Sequence, residues 1–98
     1  MFTLSEQEKI KTFLTAMFGV SPDVDINNTV NELRGYSTIS DDDSKLDIVG
    51  YLTVYYQFAD APSPAIAAGE FRFNPKIQDS QGREPTEYFL AGQRLLAE

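Results

Sequence analysis

"KLDIVGYLTVYYQF", residues 45–58, is the longest apolar stretch of the chain and decides the fold. Taken in alternate positions it separates into two sets. Leu46, Ile48, Gly50, Leu52, Val54, Tyr56 and Phe58 form an apolar set suited to a core face. Lys45, Asp47, Val49, Tyr51, Thr53, Tyr55 and Gln57 form the other. Alternation in a run rich in β-branched and aromatic residues predicts a strand over 46–58. Its thirteen residues exceed the usual strand of about 5–6. Gly50 is therefore expected to mark a bulge or bend that lets the strand curl over the core.

The second face carries a valine, a threonine and two tyrosines where a solvated strand would carry charge. Either helices cover both faces of the sheet, or Val49, Tyr51, Thr53 and Tyr55 form an exposed strip. Tyrosine is enriched at interfaces because it joins a large apolar body to a polar tip. The strip is thus a candidate protein-binding surface, for a heterologous partner or for a second copy in a homodimer.

Two helices frame this segment. In "TLSEQEKIKTFLTAMFG", Ile10, Phe13, Leu14, Met17 and Phe18 make one apolar stripe at helical spacing, so a helix is expected over about 5–18. Thr3 with Glu6 and Ser5 with Glu8 compete as capping boxes, and Gly19 suits the position after the last turn. At the other end, Pro85 suits a first turn, and Tyr88, Phe89, Gly92, Leu95 and Leu96 share a face of a helix over 85–97. Gly92 on that face would bring the helix close to its neighbour. A short helix is expected at 26–33, where Ile26, Val30 and Leu33 keep helical spacing. "GYSTIS" (35–40) is expected as a strand. "EFRFN" (70–74) is expected as another, with Phe71 and Phe73 both turned inward. The segment 59–69, stiffened by Pro62 and Pro64, is expected as a loop with one helical turn at 65–68, and a turn is expected near Gly82. Together these elements predict a single α+β domain: a small antiparallel sheet of three or four strands with an N-terminal and a C-terminal helix.

Composition bounds the chemistry. Histidine and cysteine are both absent, which removes the commonest general base, the commonest metal ligand and the thiol nucleophile. No glycine-rich phosphate loop or nucleophile elbow is present. A non-enzymatic protein with no cofactor and no metal is expected. "DDDSKLD" (41–47) resembles a cation loop in charge alone. Counted from Asp41, Leu46 and Leu52 occupy the places where a calcium loop needs glycine and a bidentate glutamate. A solvated turn is the expectation there.

Net charge is −7, and the surplus is segregated. Residues 21–70 carry nine acids against Arg34 and Lys45, while the segments on either side balance. Asp41, Asp42, Asp43 and Asp47 concentrate it and are further candidate protein-binding residues. Such a chain is not expected to bind nucleic acid or an anionic membrane directly, since phosphate contacts need clustered Lys and Arg. A basic protein partner is favoured. No apolar run approaches the roughly 18 residues of a membrane span, and "MFTLSEQEKI" lacks the basic and apolar regions of a signal peptide, so a cytoplasmic location is expected.

The leading expectation is a small acidic module that docks on a larger protein, basic or nucleic-acid-binding, as inhibitor or adaptor. Two alternatives remain. One is a ligand-binding or enzymatic domain with a pocket in the curl of the sheet, signalled by a buried carboxylate beside Tyr36, Tyr56 or Tyr88. The other is a homo-oligomeric structural subunit.

Overall fold

The structure, a computed structural model, describes residues 1–97. It contains five helices and, among the described residues, no strand: α1 (Leu4–Phe18), α2 (Ile26–Gly35), α3 (Lys45–Gln57), α4 (Pro64–Phe73) and α5 (Thr86–Ala97). The expected α+β sheet is therefore replaced by an all-helical fold, and the two outer helices stand where they were expected. No helix is long and apolar enough to cross a membrane.

The expected strand 46–58 is the central helix α3. Ser44 caps it, its side chain accepting the Asp47 backbone N–H at 3.2 Å. A helix with an apolar stripe needs one neighbour, but α3 has neighbours on three sides and is buried on all three beyond its first turn. Each side follows i, i+3, i+7 spacing. Val49, Leu52 and Tyr56 face α1 and α2, where Val49 and Leu52 join Ile10, Leu14, Ile26, Val30 and Leu33 in the main core. Tyr51, Val54 and Phe58 face α4, packing with Ala68 and Phe71. Gly50, Thr53 and Gln57 face α5 and the loop before it. Two apolar sides and a third of small and polar residues leave no single polar face, so the apolar residues show alternation without a strand.

Gly50 accordingly marks a close helix contact and no bulge. The Phe89 ring of α5 occupies the place where a Gly50 side chain would stand. One helical turn along, Gly92 lies against Thr53 and the Val49 carbonyl. These two glycines let α3 and α5 approach backbone to side chain.

The other two expected strands also differ. Residues 70–73 form the last turn of α4, which grows from the expected single turn at 65–68 into a ten-residue helix with Pro64 in its first turn. Ala65, Ala68 and Phe71 are buried at helical spacing, whereas Phe73 is 85% exposed. A strand would have turned both phenylalanines the same way. Residues 36–40 form a connection. Ser37 takes positive φ (60°) and reverses the chain after α2. Thr38 is fully buried and donates its hydroxyl to the Ala65 carbonyl at 2.7 Å, so the segment is tied to α4 by a side chain and not by a ladder.

α1 resolves its competing capping boxes in favour of Thr3. Thr3 Oγ1 accepts from Glu6 N–H at 3.2 Å, and Glu6 Oε1 accepts from Thr3 N–H at 2.8 Å. Gly19 ends the helix in the left-handed region (φ 69°). α2, capped by Asp25, runs to Gly35, two residues beyond its expected end.

Candidate functional site

The helical form of residues 45–57 disperses the expected tyrosine strip. At about 100° per residue, Val49, Tyr51, Thr53 and Tyr55 do not share a face. Val49 and Thr53 are fully buried, and Thr53 Oγ1 donates to the Val49 carbonyl at 2.8 Å. Tyr51 is half-buried between Phe89 (ring centroids 5.0 Å apart) and Phe71 (6.3 Å), with the Arg72 guanidinium 4.9 Å above its ring. Tyr55 is half-buried edge-on to Tyr56 at 5.0 Å. Burial pushes both hydroxyls above the ordinary tyrosine pKa.

The acidic candidates also part company. Asp43 is engaged inside the fold. Its carboxylate takes a two-pronged pair with Arg72, with Arg72 Nη2 donating to Asp43 Oδ1 at 2.7 Å, and it accepts the Ser40 N–H at 2.8 Å. Arg72 also donates to the Thr38 carbonyl at 3.2 Å, so this pair fastens α4 to the connection 38–43. The Arg72 bond holds the Asp43 carboxyl below its ordinary range. Asp47 accepts from Gln93 Nε2 of α5 at 2.7 Å. Asp41 and Asp42 are the exposed members of this set: Asp41 has its side chain 94% exposed and pairs with Arg34 Nε at 3.5 Å, and Asp42 is exposed. Among the described residues no three carboxylates converge as metal ligands.

A different place gathers polar groups around a concave surface. The end of α3, the turn after it, α4 and residues 77–80 border an open cavity of about 360 Å³. Phe58, Pro62, Ala67 and Ile77 supply apolar wall. Asp60 and Glu70 are exposed at its edge and make no ion pair among the described residues. Gln57 and Asp79 line it too.

Asp79 is the hub of the loop before α5. Its Oδ1 accepts from the N–H groups of Gln81 and Arg83, both at 2.9 Å. Its Oδ2 accepts from Arg83 Nε at 2.9 Å and from Gln57 Nε2 at 3.1 Å. Burial alone would raise this carboxyl, but those bonds outweigh it and bring it down to about 2. Gly82 in the left-handed region (φ 78°) closes the turn. Gln57 is only 7% exposed. Its Nε2 points at two acceptors, the Asp79 carboxylate and the Arg83 carbonyl (3.5 Å), which fixes the amide and leaves Oε1 buried with no hydrogen-bond partner.

Beside the cavity lies the outer face of α4. Ile66, Glu70 and Phe73 follow i, i+4, i+7 spacing and all are exposed, Ile66 by 54% and Phe73 by 85%. Glu70 belongs to both features. Comparisons with protein families, with curated proteins and with solved structures each find no match.

A buried carboxylate beside Tyr36, Tyr56 or Tyr88, the sign of the alternative pocket reading, is not formed among the described residues. Tyr56 Oη lies 3.5 Å from Thr29 Oγ1, Tyr88 packs on Phe18 and under the Arg83 guanidinium, and Tyr36 is exposed. Asp79, held ionised by four donors, is a poor proton donor at neutral pH. Sequence reasoning missed both Gln57 and Asp79. The cue for Asp79 is the "DSQGR" run (79–83), a carboxylate placed to accept backbone N–H groups before a glycine turn.

Proposed function

We propose that this chain is a non-enzymatic binding module that docks on a larger, basic protein through the outer face of α4. The observation that supports it is the Ile66–Glu70–Phe73 row. Full burial of a phenylalanine or isoleucine contributes roughly 1.5–3 kcal/mol, and here one of each stays largely in water on one helix face. A helix face read at i, i+4, i+7 is the form in which helices present anchors to partner surfaces. The carboxylates beside it, Glu70 and Asp60, are free of ion pairs within the described chain, and the net charge of −7 steers a cationic surface toward it.

Affinity purification from the native host, run in parallel with the wild type and an Ile66→Asp/Phe73→Asp variant, tests this. The expected result is a protein recovered stoichiometrically with the wild type and lost with the variant, while the melting temperatures of the two agree. Recovery of the same protein by both forms places the docking surface elsewhere.

A further inference from the structure

We infer that the outer side of α1 is a surface for a second copy of this chain, with two α1 helices crossing at Thr12 about a two-fold axis. This goes beyond the docking role of α4 and stands independently of it.

α1 and α5 are antiparallel neighbours. Phe18 meets Tyr88 at one end, with ring centroids 5.7 Å apart, and Leu95 shares a groove with Lys9 and Phe13 further back along α1. Glu8, Thr12 and Ala16 follow i, i+4, i+8 spacing on α1 and are all exposed, so they form a ridge. An open groove runs along each flank of it. The groove toward α5, of about 470 Å³, has Phe13 and Leu95 as apolar wall. The other, of about 390 Å³, is bordered by Thr15 and Pro22. The middle of the ridge makes no polar demand on whatever covers it. The Thr12 hydroxyl already donates to the Glu8 carbonyl at 2.9 Å, and Ala16 has no polar side chain. Covering these two residues therefore leaves no hydroxyl without a partner. Glu8, at the end of the ridge, pairs with Lys11 at 3.5 Å.

Two observations select a second copy as the occupant. The first is shape. Helices pack by laying a ridge of one into a groove of the other, and two ridges of i, i+4 spacing cross at about −50°. A two-fold contact uses the same patch on both partners, so that patch has to carry ridge and groove together. The outer side of α1 does. The second is charge. A chain of net charge −7 repels its own copy, but the surplus lies in residues 21–70. Residues 1–20 and 71–98, which hold α1 and α5, each balance. Two copies meet there with the least repulsion, whereas a basic partner is drawn to the acidic middle, where most of α4 lies.

The contact is small. α1 has fifteen residues, about 22 Å of helix, and an oblique crossing covers only its middle turns. The buried area falls below the roughly 800 Å² per partner of a stable complex, so the dimer is weak.

Sedimentation equilibrium of the full chain between about 10 μM and about 1 mM is the test. The mass should rise from 11.0 kDa toward twice that value. Raising the salt from about 0.02 to about 0.3 M should strengthen association, since screening relieves the repulsion between the acidic segments and leaves the apolar contact in place. Thr12→Glu and Thr12→Lys, at an exposed position, should each remain monomeric, because a residue beside the axis meets its own copy. Mixed in equal amounts, the two variants should associate again as a pair of opposite charge. Ile66→Asp/Phe73→Asp should associate like the wild type.

A wild-type mass of one chain at every concentration would overturn the inference. So would Thr12→Glu and Thr12→Lys proteins that each associate like the wild type, or a mixture of them that stays monomeric. Association lost in Ile66→Asp/Phe73→Asp would place the contact between copies on α4 and not on α1. A monomeric wild type that binds a host protein, and loses it in Thr12→Glu, would assign the groove to a different protein and equally overturn the second copy.

Discussion

A β-carbon placed on Gly92 would stand 2.5 Å from Thr53 Oγ1 and 2.8 Å from the Val49 carbonyl oxygen. α5 therefore rests on α3 with no side chain of its own at this point. Such an approach is available to glycine alone.

Gly92→Ala should destabilise the protein by about 1–3 kcal/mol, because overpacking against backbone forces the helices apart. This loss opposes the roughly 1 kcal/mol that alanine gains over glycine in a helix interior. Gly50→Ala should cost less, since the atoms it meets belong to the Phe89 ring, which can turn aside. Gly35, with nothing near its would-be side chain, is the control: alanine there should leave stability unchanged or slightly raised. Urea unfolding of the three variants checks the order. A Gly92→Ala protein as stable as the Gly35→Ala protein would mean that α3 and α5 are farther apart.

The Arg72–Asp43 pair should behave as a partly buried, two-pronged contact. Its side chains are 23% and 9% exposed. A double-mutant cycle with Arg72→Lys and Asp43→Asn should give a coupling of roughly 1–2 kcal/mol, above the usual surface pair. Lysine keeps the charge but not the fork, so most of the loss should appear in Arg72→Lys alone. Coupling indistinguishable from zero would place Asp43 among the solvated acids with Asp42.

Acid should unfold the chain partly through Asp79. Its folded carboxyl lies at about 2, below the ordinary 3.8, so the folded state holds its proton less tightly than the unfolded state. The stability it contributes is full above the unfolded value and disappears as pH falls toward 2. The contribution is about 2 kcal/mol at neutral pH. Asp79→Asn should flatten the dependence of stability on pH between 4 and 2 relative to the wild type. An equal slope in both proteins would show that Asp79 is not held by its four donors.

The same packing explains what could be read from the chain beforehand. α1 and α5 each bury one side, so Ile10–Leu14 and Phe89–Gly92 announce themselves at helical spacing. α3 buries three sides and has no phase to announce. Two local cues favoured a helix there: the length of the run, beyond a usual strand, and Ser44 followed by Asp47 as an N-terminal cap. For α4, the three residues Phe71–Arg72–Phe73 are too few to separate alternation from helical spacing. Ser63–Pro64 before an alanine-rich run was the better signal, since proline is favoured at the first helical position. The candidate site lay beyond reach for a different reason. Gln57 and Asp79 are 22 residues apart, and only the return of the chain from α4 to α5 brings them together.

Both the Gly92 contact and the Gln57–Asp79 bond depend on residues 45–57 being a helix. Backbone NMR assignment measures this directly. Cα secondary shifts should be positive through Lys45–Gln57 and Pro64–Phe73, with slow amide exchange in the middle of the first segment. Negative shifts over 46–58 and 70–74, with cross-strand contacts between them, would contradict the helical fold and every site built on it.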